Sequence, residues 1–189
     1  MSLLEYDSSL NPVKVTTCSR LFFALWPDEQ TKIKLVRLNQ SIEAFGFKSL
    51  LPQNLHVTLV FLGAVDAVTE LLIARSILDI YPKSFELKFD QLSFWSKPKV
   101  LCLTCSQMPI EIELLAVALT SAVASYGLPI EARPYAPHIT LARHAHNLPD
   151  IKFEPIVLRP LAFVLAESCG ESEGVNYKVR QQWPISQDN

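Results

Sequence analysis

The sequence has no long apolar run, since no window approaches the roughly 18 consecutive apolar residues of a membrane span. The N-terminus also lacks the basic and apolar blocks of a signal peptide. We therefore expect a cytoplasmic protein that makes no membrane contact. A large excess of one charge is missing as well, because the formal net charge is only −2. This balance argues against a protein that coats nucleic acid broadly, so any phosphate site must be local.

Signatures of bound cofactors are also absent from the sequence. It contains no glycine-rich phosphate loop, no Walker sequence and no carboxylate cluster for magnesium. Among the four cysteines, Cys102 and Cys105 lie in a strand-like run with their sulfurs on opposite faces, which favours reduced, mostly buried thiols over a zinc or redox motif. His144 and His146 lack a third ligand at suitable spacing, and we interpret them as solvated loop residues. We expect no cofactor and no metal.

The composition that remains is typical of one compact domain. The chain has 189 residues, of which 49% are hydrophobic and 19% charged, so it can bury a sizeable core. Residues 1–18 are polar and aperiodic, and we expect a flexible tail there. Residues 19–189 contain no linker, and we expect them to form a single domain that is a monomer.

Capping residues and apolar periodicity predict the elements. In the first half, a strand at 21–25 precedes a helix that begins near Asp28, ends at Gly46 and buries Leu35, Leu38, Ile42 and Phe45. A second helix, capped by Asp66 and ended by Pro82, is predicted to bury Leu71, Ala74, Leu78 and Tyr81. A third runs from about Pro109 to Gly127 and buries Ile112, Leu115, Leu119, Ala122 and Tyr126. Further strands are predicted at 85–89, 91–95, 100–105, 161–166 and 175–179, with a turn at 170–174.

Two polar residues interrupt the apolar run at 54–63 (NLHVTLVFLG), which is predicted to be a buried strand. Because side chains alternate across a strand, His56 and Thr58 share one face while their apolar neighbours pack into the core. The pattern recurs at 137–143 (PHITLAR), with His138 and Thr140. One such pair is weak evidence, since a lone histidine on a strand is more often structural; the recurrence favours function.

Both halves of the sequence follow one order: strand, helix, glycine, and then histidine, apolar residue, threonine and leucine. The simplest outcome of such a duplication is a bilobal α+β fold with two lobes related by a pseudo-twofold axis. Each lobe would contain mainly antiparallel sheet, with helices packed outside and a cleft at the centre. His56 and His138 would line this cleft.

Two histidines that flank one substrate suit a reaction in which one proton is removed and another is delivered. The hydroxyls of Thr58 and Thr140, together with Arg143, are hydrogen-bond donors suited to a tetrahedral anion such as a phosphodiester. These residues predict phosphoester cleavage without a metal. Arg143 lies five residues after His138, and a surface arginine is the alternative interpretation.

Three further residues are weaker candidates for substrate binding. Trp95 is placed to stack a base, although hairpin packing explains it equally well. Arg133 and Tyr135 precede the second motif and could line the cleft, but loop solvation also accounts for them.

The two motifs and the segment 20–27 (RLFFALWP) resemble the RNA 2′,3′-cyclic phosphodiesterases, also named 2′-5′ RNA ligases, of the two-histidine phosphoesterase superfamily. The resemblance implies hydrolysis of a terminal 2′,3′-cyclic phosphate to a 2′-phosphomonoester. It also implies that His56 is the proton donor and His138 the acceptor, while the threonines hold the non-bridging oxygens. With a 5′-hydroxyl in place of water, the reverse reaction would join RNA ends by a 2′-5′ linkage.

The implied partners are RNA ends or cyclic nucleotides, tRNA fragments among them. Two alternatives stay open at the level of sequence. One is a non-catalytic module that binds RNA ends or nucleotides. The other is a phosphodiesterase for a different small cyclic or 2′-5′ nucleotide.

Overall fold

The computed structural model describes residues 18–129, 133–171 and 174–187. Of the predicted tail, only Cys18 lies within the described residues, and it belongs to the first strand. The elements are β1 (Cys18–Leu25), α1 (Glu29–Ala44), β2 (Val57–Asp66), α2 (Ala67–Ser76), β3 (Leu87–Phe89), β4 (Gln91–Trp95), β5 (Val100–Thr104), α3 (Ile110–Ala124), β6 (His138–Arg143), β7 (Ile156–Leu158), β8 (Ala162–Glu171) and β9 (Gly174–Pro184).

Seven strands form one antiparallel sheet in the order β4-β5-β6-β2-β1-β8-β9, and β3 and β7 form a small second sheet. The two halves of the large sheet meet where β2 pairs with β6, through the single pair Val57 and Ile139. The predicted α+β fold with a mainly antiparallel sheet is therefore confirmed. The narrow junction at the centre also agrees with two lobes that carry one motif each.

Helix α1 begins and ends where its sequence predicts. The side chain of Asp28 accepts a hydrogen bond from the amide of Thr31 at 2.8 Å, and the chain leaves the helix through Gly46 with a φ of 84°. Leu35 is buried as expected. Phe45, which was also predicted to be buried, is 54% exposed, because it lies directly after the last helical residue.

Of the four residues predicted to be buried by α2, Ala74 is buried and the other three are exposed. Asp66 caps it through the amides at positions 68 and 69, but the helix ends at Ser76, well before Pro82. The buried residues are Ile73, Ala74 and Ile77, while Leu71, Leu78 and Tyr81 are exposed. Apolar residues lie on both faces of this segment, so periodicity could not choose between them. Because Asp66 is both the last residue of β2 and the cap of α2, the direction of the strand sets the rotation of the helix.

Two neighbouring residues directly after the last residue of α2, Ile77 and Leu78, should differ in their contribution to stability. Ile77 has no exposed surface, and Ile77→Ala should lower the free energy of unfolding by about 2–5 kcal/mol. Its neighbour Leu78 is 53% exposed, and Leu78→Ala should change stability by less than about 0.5 kcal/mol. Urea unfolding of the two variants measures the difference. Equal losses would mean that the helix is rotated from the orientation described.

Helix α3 and the β4–β5 hairpin form as predicted, and Ile112, Leu115 and Leu119 are buried. Ala122 and Tyr126 are only partly buried, and Val123 is buried in the last turn instead. Strands β8 and β9 are longer than expected, because backbone pairing continues past Ala166 to Glu171 in β8 and past Val179 to Pro184 in β9. The residues there are largely polar, so the apolar pattern ends before the strands do. Part of the predicted turn at 170–174 lies outside the described residues. Within the described ranges, no helix is both long and apolar enough to cross a membrane.

Candidate active site

The two motifs lie side by side at the centre of the large sheet. Antiparallel pairing of Val57 with Ile139 sets His56 across from Thr140, and Thr58 across from His138. Val57 and Ile139 have no exposed surface, so the four polar side chains occupy the opposite face from the core. The prediction that His56 and Thr58 share one face of the strand, opposite their apolar neighbours, is thus confirmed. The predicted strand at 54–63 begins later than expected, because a 3₁₀ turn at Pro52–Asn54 leaves His56 just before β2.

Each motif also contains a β-bulge that its sequence did not reveal. The register of β2 against β1 shifts at Leu59, and that of β6 against β5 shifts at Leu141, in both cases directly after the motif threonine. A bulge reverses the alternation of side chains that follow it. Phe61 and Arg143 therefore lie on the face of the motif histidines and are exposed there. Without the bulge, the odd spacing from His138 would direct Arg143 to the other face.

The ring of His56 is held by hydrogen bonds at both nitrogens. Nδ1 donates to the carbonyl oxygen of Asn54 at 2.7 Å, and Nε2 lies 3.1 Å from Oγ1 of Thr58. A carbonyl accepts but never donates, so Nδ1 carries a proton. In the neutral ring, Nε2 is therefore the nitrogen with the lone pair, which accepts from the hydroxyl of Thr58 and can exchange a proton with a substrate.

His138 is held in the same way. Its Nδ1 donates to the carbonyl oxygen of Ala136 at 2.9 Å, again two residues earlier in the chain. Its ring lies against that of Trp95, with ring centroids 4.6 Å apart. Both motifs thus present Nε2 as the nitrogen available for proton transfer.

Aromatic rings surround His56. Trp26 stacks on it with ring centroids 5.3 Å apart and an angle of 16°, while Tyr177 approaches edge-on at 4.9 Å and Phe22 lies at 5.1 Å. None of these three was identified as a site residue from the sequence. Phe22 and Trp26 belong to the segment that carries the family resemblance, but nothing in the sequence connects Tyr177 with His56.

The aromatic surroundings affect protonation. The pKa of His56 is lowered to about 4 as the net result of burial, which has the largest effect, and of Coulombic repulsion from His138 and Arg143, against the opposing effect of the hydrogen bond to the Asn54 carbonyl. His56 is therefore neutral at pH 7 in the free protein. His138 and Arg143 affect His56 because their strand, β6, pairs with β2.

A cavity of about 890 Å³ adjoins the motifs, between β2, β4 and α3. Trp95, Arg133 and Tyr135 all line it, together with Thr58 and His138. The hydroxyl of Tyr135 donates to the backbone carbonyl of Thr58 at 3.1 Å, and burial raises its pKa. Tyr135, which precedes the second motif, therefore holds the backbone of the first motif by this hydrogen bond. Lys97 lies on the rim, and the exposed ring of Phe61 also faces the cavity.

The other polar candidates lie apart from these motifs. His146 stacks on Phe47 at 5.1 Å, and no group of three or more potential metal ligands occurs among the described residues. All four cysteines are free, although only Cys102 is fully buried. Burial raises the pKa of Cys102 to about 12 and that of Cys105 to about 11, which makes both thiols unreactive near neutrality.

Comparison with known proteins gives consistent results. Residues 25–102 match the family model of LigT-like phosphoesterases. The RNA 2′,3′-cyclic phosphodiesterase of Escherichia coli K12 is 32% identical over 127 residues, which are 67% of this chain and 72% of that protein. The protein of the same name from Bacillus subtilis 168 is 34% identical over 97 residues, or 49% and 52% of the two chains. The crystal structure of E. coli LigT complexed with 3′-AMP has a TM-score of 0.80 at 28% identity, covering 90% of this chain and 99% of that one.

Proposed function

The chain belongs to the LigT-like phosphoesterase family, and we propose that it hydrolyses the terminal 2′,3′-cyclic phosphate of RNA to a 2′-phosphomonoester. Membership confirms the resemblance seen in the sequence, and the names of the relatives support a cyclic phosphodiesterase. One observation carries the proposal further. Nδ1 of each motif histidine donates to the backbone carbonyl two residues earlier in the chain. His56 and His138 are also the residues directly before Val57 and Ile139, which pair with each other.

In the proposed reaction, neutral His138 accepts a proton from water through Nε2 while the water oxygen attacks phosphorus. The bond between phosphorus and the 3′ oxygen breaks, and protonated His56 delivers its proton to that oxygen. A general acid or base of this kind typically contributes roughly 10²- to 10⁴-fold to the rate. Product release leaves His56 neutral and His138 protonated, so the opposite protonation states must be restored before the next turnover.

Charge on the phosphate is stabilised by hydrogen-bond donors of the same motifs. The hydroxyl of Thr58 lies 3.1 Å from Nε2 of His56, and once that ring is protonated the hydroxyls of Thr58 and Thr140 donate to the non-bridging oxygens. Arg143, which the bulge at Leu141 places on this face, adds a positive charge.

The phosphate of the substrate also favours protonation of His56, the proton donor. With a pKa of about 4, His56 carries a second proton in only about one free molecule in a thousand at pH 7. A bound phosphodiester anion next to the ring favours the charged form and raises this pKa. The stacked face of Trp26 stabilises a cation further by a cation–π interaction. Donor protonation is thus coupled to substrate binding.

The cavity beside the motifs is suited to the nucleoside. Trp95 and Phe61 offer aromatic surfaces for a base, while Arg133 and Lys97 supply positive charge for the RNA backbone. The complex of E. coli LigT with 3′-AMP supports a nucleotide as ligand. A 5′-hydroxyl in the position of water would allow the reverse reaction, 2′-5′ ligation.

Turnover of the four 2′,3′-cyclic nucleotides and of an RNA with a cyclic phosphate end tests the proposal. The expected product is the 2′-phosphate, which phosphorus NMR separates from the 3′-phosphate. Binding without turnover would indicate a nucleotide-binding module instead. Turnover of only a 2′-5′-linked or another cyclic substrate would place the protein elsewhere in its family.

Cleavage should proceed undiminished in excess EDTA. The expected reason is that Thr58, Thr140 and Arg143 supply the charge stabilisation, so no bound cation is needed. A metal-dependent phosphodiesterase assayed in the same buffer serves as the positive control for chelation. Loss of activity that one divalent metal restores would contradict the mechanism.

A further inference from the structure

Asn54 is a buried polar residue that the proposed mechanism does not use. Its side chain is 6% exposed and lies at the end of the 3₁₀ turn that leads into β2. Its Nδ2 donates to the backbone carbonyl of Val175 on β9 at 2.7 Å, whereas its Oδ1 is buried without a hydrogen-bond partner among the described residues. A buried amide that is only half satisfied is costly, so its presence calls for a compensating role.

The backbone of the same residue holds the first histidine. The carbonyl oxygen of Asn54 accepts the hydrogen bond from Nδ1 of His56 at 2.7 Å. Asn54 therefore connects β9 with His56, through its side chain on one side and its carbonyl on the other. Tyr177, two residues after Val175, contacts the edge of the same ring at 4.9 Å, so one segment of β9 constrains His56 in two ways.

The second motif is connected differently, since Tyr135, next to Ala136, donates to the backbone carbonyl of Thr58 on β2. His138 donates to the carbonyl of Ala136, which is exposed and has no side chain able to bond to another strand. The two histidines, alike in their backbone bonds, thus differ in the side chain of the residue whose carbonyl accepts the bond: asparagine for His56 and alanine for His138.

We propose that Asn54 is a positioning residue: by tying the Pro52–Asn54 turn to β9, it keeps His56 in the Nδ1–H tautomer with Nε2 directed into the cleft. The consequence for the rate depends on the function proposed above, whereas the tautomer does not. A donor with the wrong nitrogen protonated, or with its ring turned, cannot deliver a proton to the departing oxygen.

Asn54→Leu tests this role, because leucine has a similar shape but no amide. The kcat for a 2′,3′-cyclic nucleotide should fall on the order of 10- to 100-fold with little change in KM. A nitrophenyl ester needs little protonation of its leaving group, so kcat for that substrate should stay near the wild-type value. A structural defect alone would lower both rates equally, and that result would overturn the proposal.

Asn39→Leu is a matched control. Asn39 is 4% exposed, its Nδ2 donates to the carbonyl of Leu50 at 3.0 Å, and its Oδ1 is also without a partner among the described residues. Its amide leads to no histidine. Asn39→Leu should therefore show a comparable loss of stability without the dependence on the leaving group.

Nitrogen NMR of the imidazole rings gives a measurement independent of activity. His56 should be in the Nδ1–H tautomer in the wild type and in Asn39→Leu, but should show a mixture of tautomers in Asn54→Leu. If Asn54→Leu does not fold, Asn54→Ser supplies the same test with a hydroxyl too short to reach Val175. An unchanged tautomer in a folded variant would refute the role of Asn54. Absence of turnover by the wild type would refute the proposed function instead, and the NMR result would still decide on Asn54.

Discussion

His56→Ala and His138→Ala should each lower kcat for a 2′,3′-cyclic phosphate by roughly 10²- to 10⁴-fold, the range expected for one general acid or base. Both side chains lie on the cleft face of the sheet, opposite the buried Val57 and Ile139, so their loss should leave the fold intact. Steady-state kinetics measure the effect, and circular dichroism with urea unfolding checks the fold.

A histidine outside the cleft provides the control. His146 stacks on Phe47, away from both motifs, and His146→Ala should retain the wild-type kcat. If His56→Ala or His138→Ala also retained a rate within a few-fold of the wild type, that residue would have no part in proton transfer. A variant that lost activity together with its fold would show that the side chain is structural.

A substrate with a good leaving group should rescue one histidine variant and not the other. A nitrophenyl ester departs without protonation, so His56→Ala should recover most of the wild-type rate, while His138→Ala should not, because water must still be deprotonated. The measurement is the ratio of kcat/KM for the nitrophenyl and cyclic substrates in each variant. Preferential rescue of His138→Ala would mean that His138 is the donor and His56 the acceptor. Equal rescue of both variants would mean that neither histidine can be assigned as donor or acceptor.

The dependence of kcat/KM on pH is a second test of the same mechanism. A donor that must be protonated and an acceptor that must be neutral make kcat/KM rise and then fall with pH. The two limbs belong to the coupled pair and are not single-residue pKa values. With the nitrophenyl ester, the donor is no longer required and the alkaline limb should disappear. If that limb persisted in full with the activated substrate, protonation of the leaving group would not be part of the mechanism.

The pKa of His56 bears on how the profile is interpreted. Burial lowers it to about 4, so the neutral form is favoured in the fold and the charged form in the unfolded chain, whose histidines titrate near 6.5. As pH falls from about 6.5 towards 4, the unfolded state takes up a proton that the folded state does not, so the free energy of unfolding decreases. Rates below pH 6 therefore need a parallel measurement of the folded fraction.

Local features of the sequence were sufficient for the elements that depend on neighbouring residues. The cap at Asp28, the glycine at position 46 and the alternation around His56 and Thr58 act over three or four residues, and all appear as predicted. The duplicated motif could also be recognised, since it needs only a comparison of one segment with another. These local features and the duplicated motif were sufficient to predict the α+β fold, the histidine pair and the family resemblance.

Tertiary structure decided the features that depend on the register and direction of distant strands. The buried face of α2 follows from how β2 enters it, because the helix is apolar on two sides. Arg143 reaches the cleft only through the bulge at Leu141, whose position is set by pairing with β5. Tyr177 and Val175 reach His56 and Asn54 across more than a hundred residues of chain, because β9 is the outer strand of a hairpin that packs beside β1. Local periodicity carries no information about such contacts, since their energy depends on which strands pair and in what register.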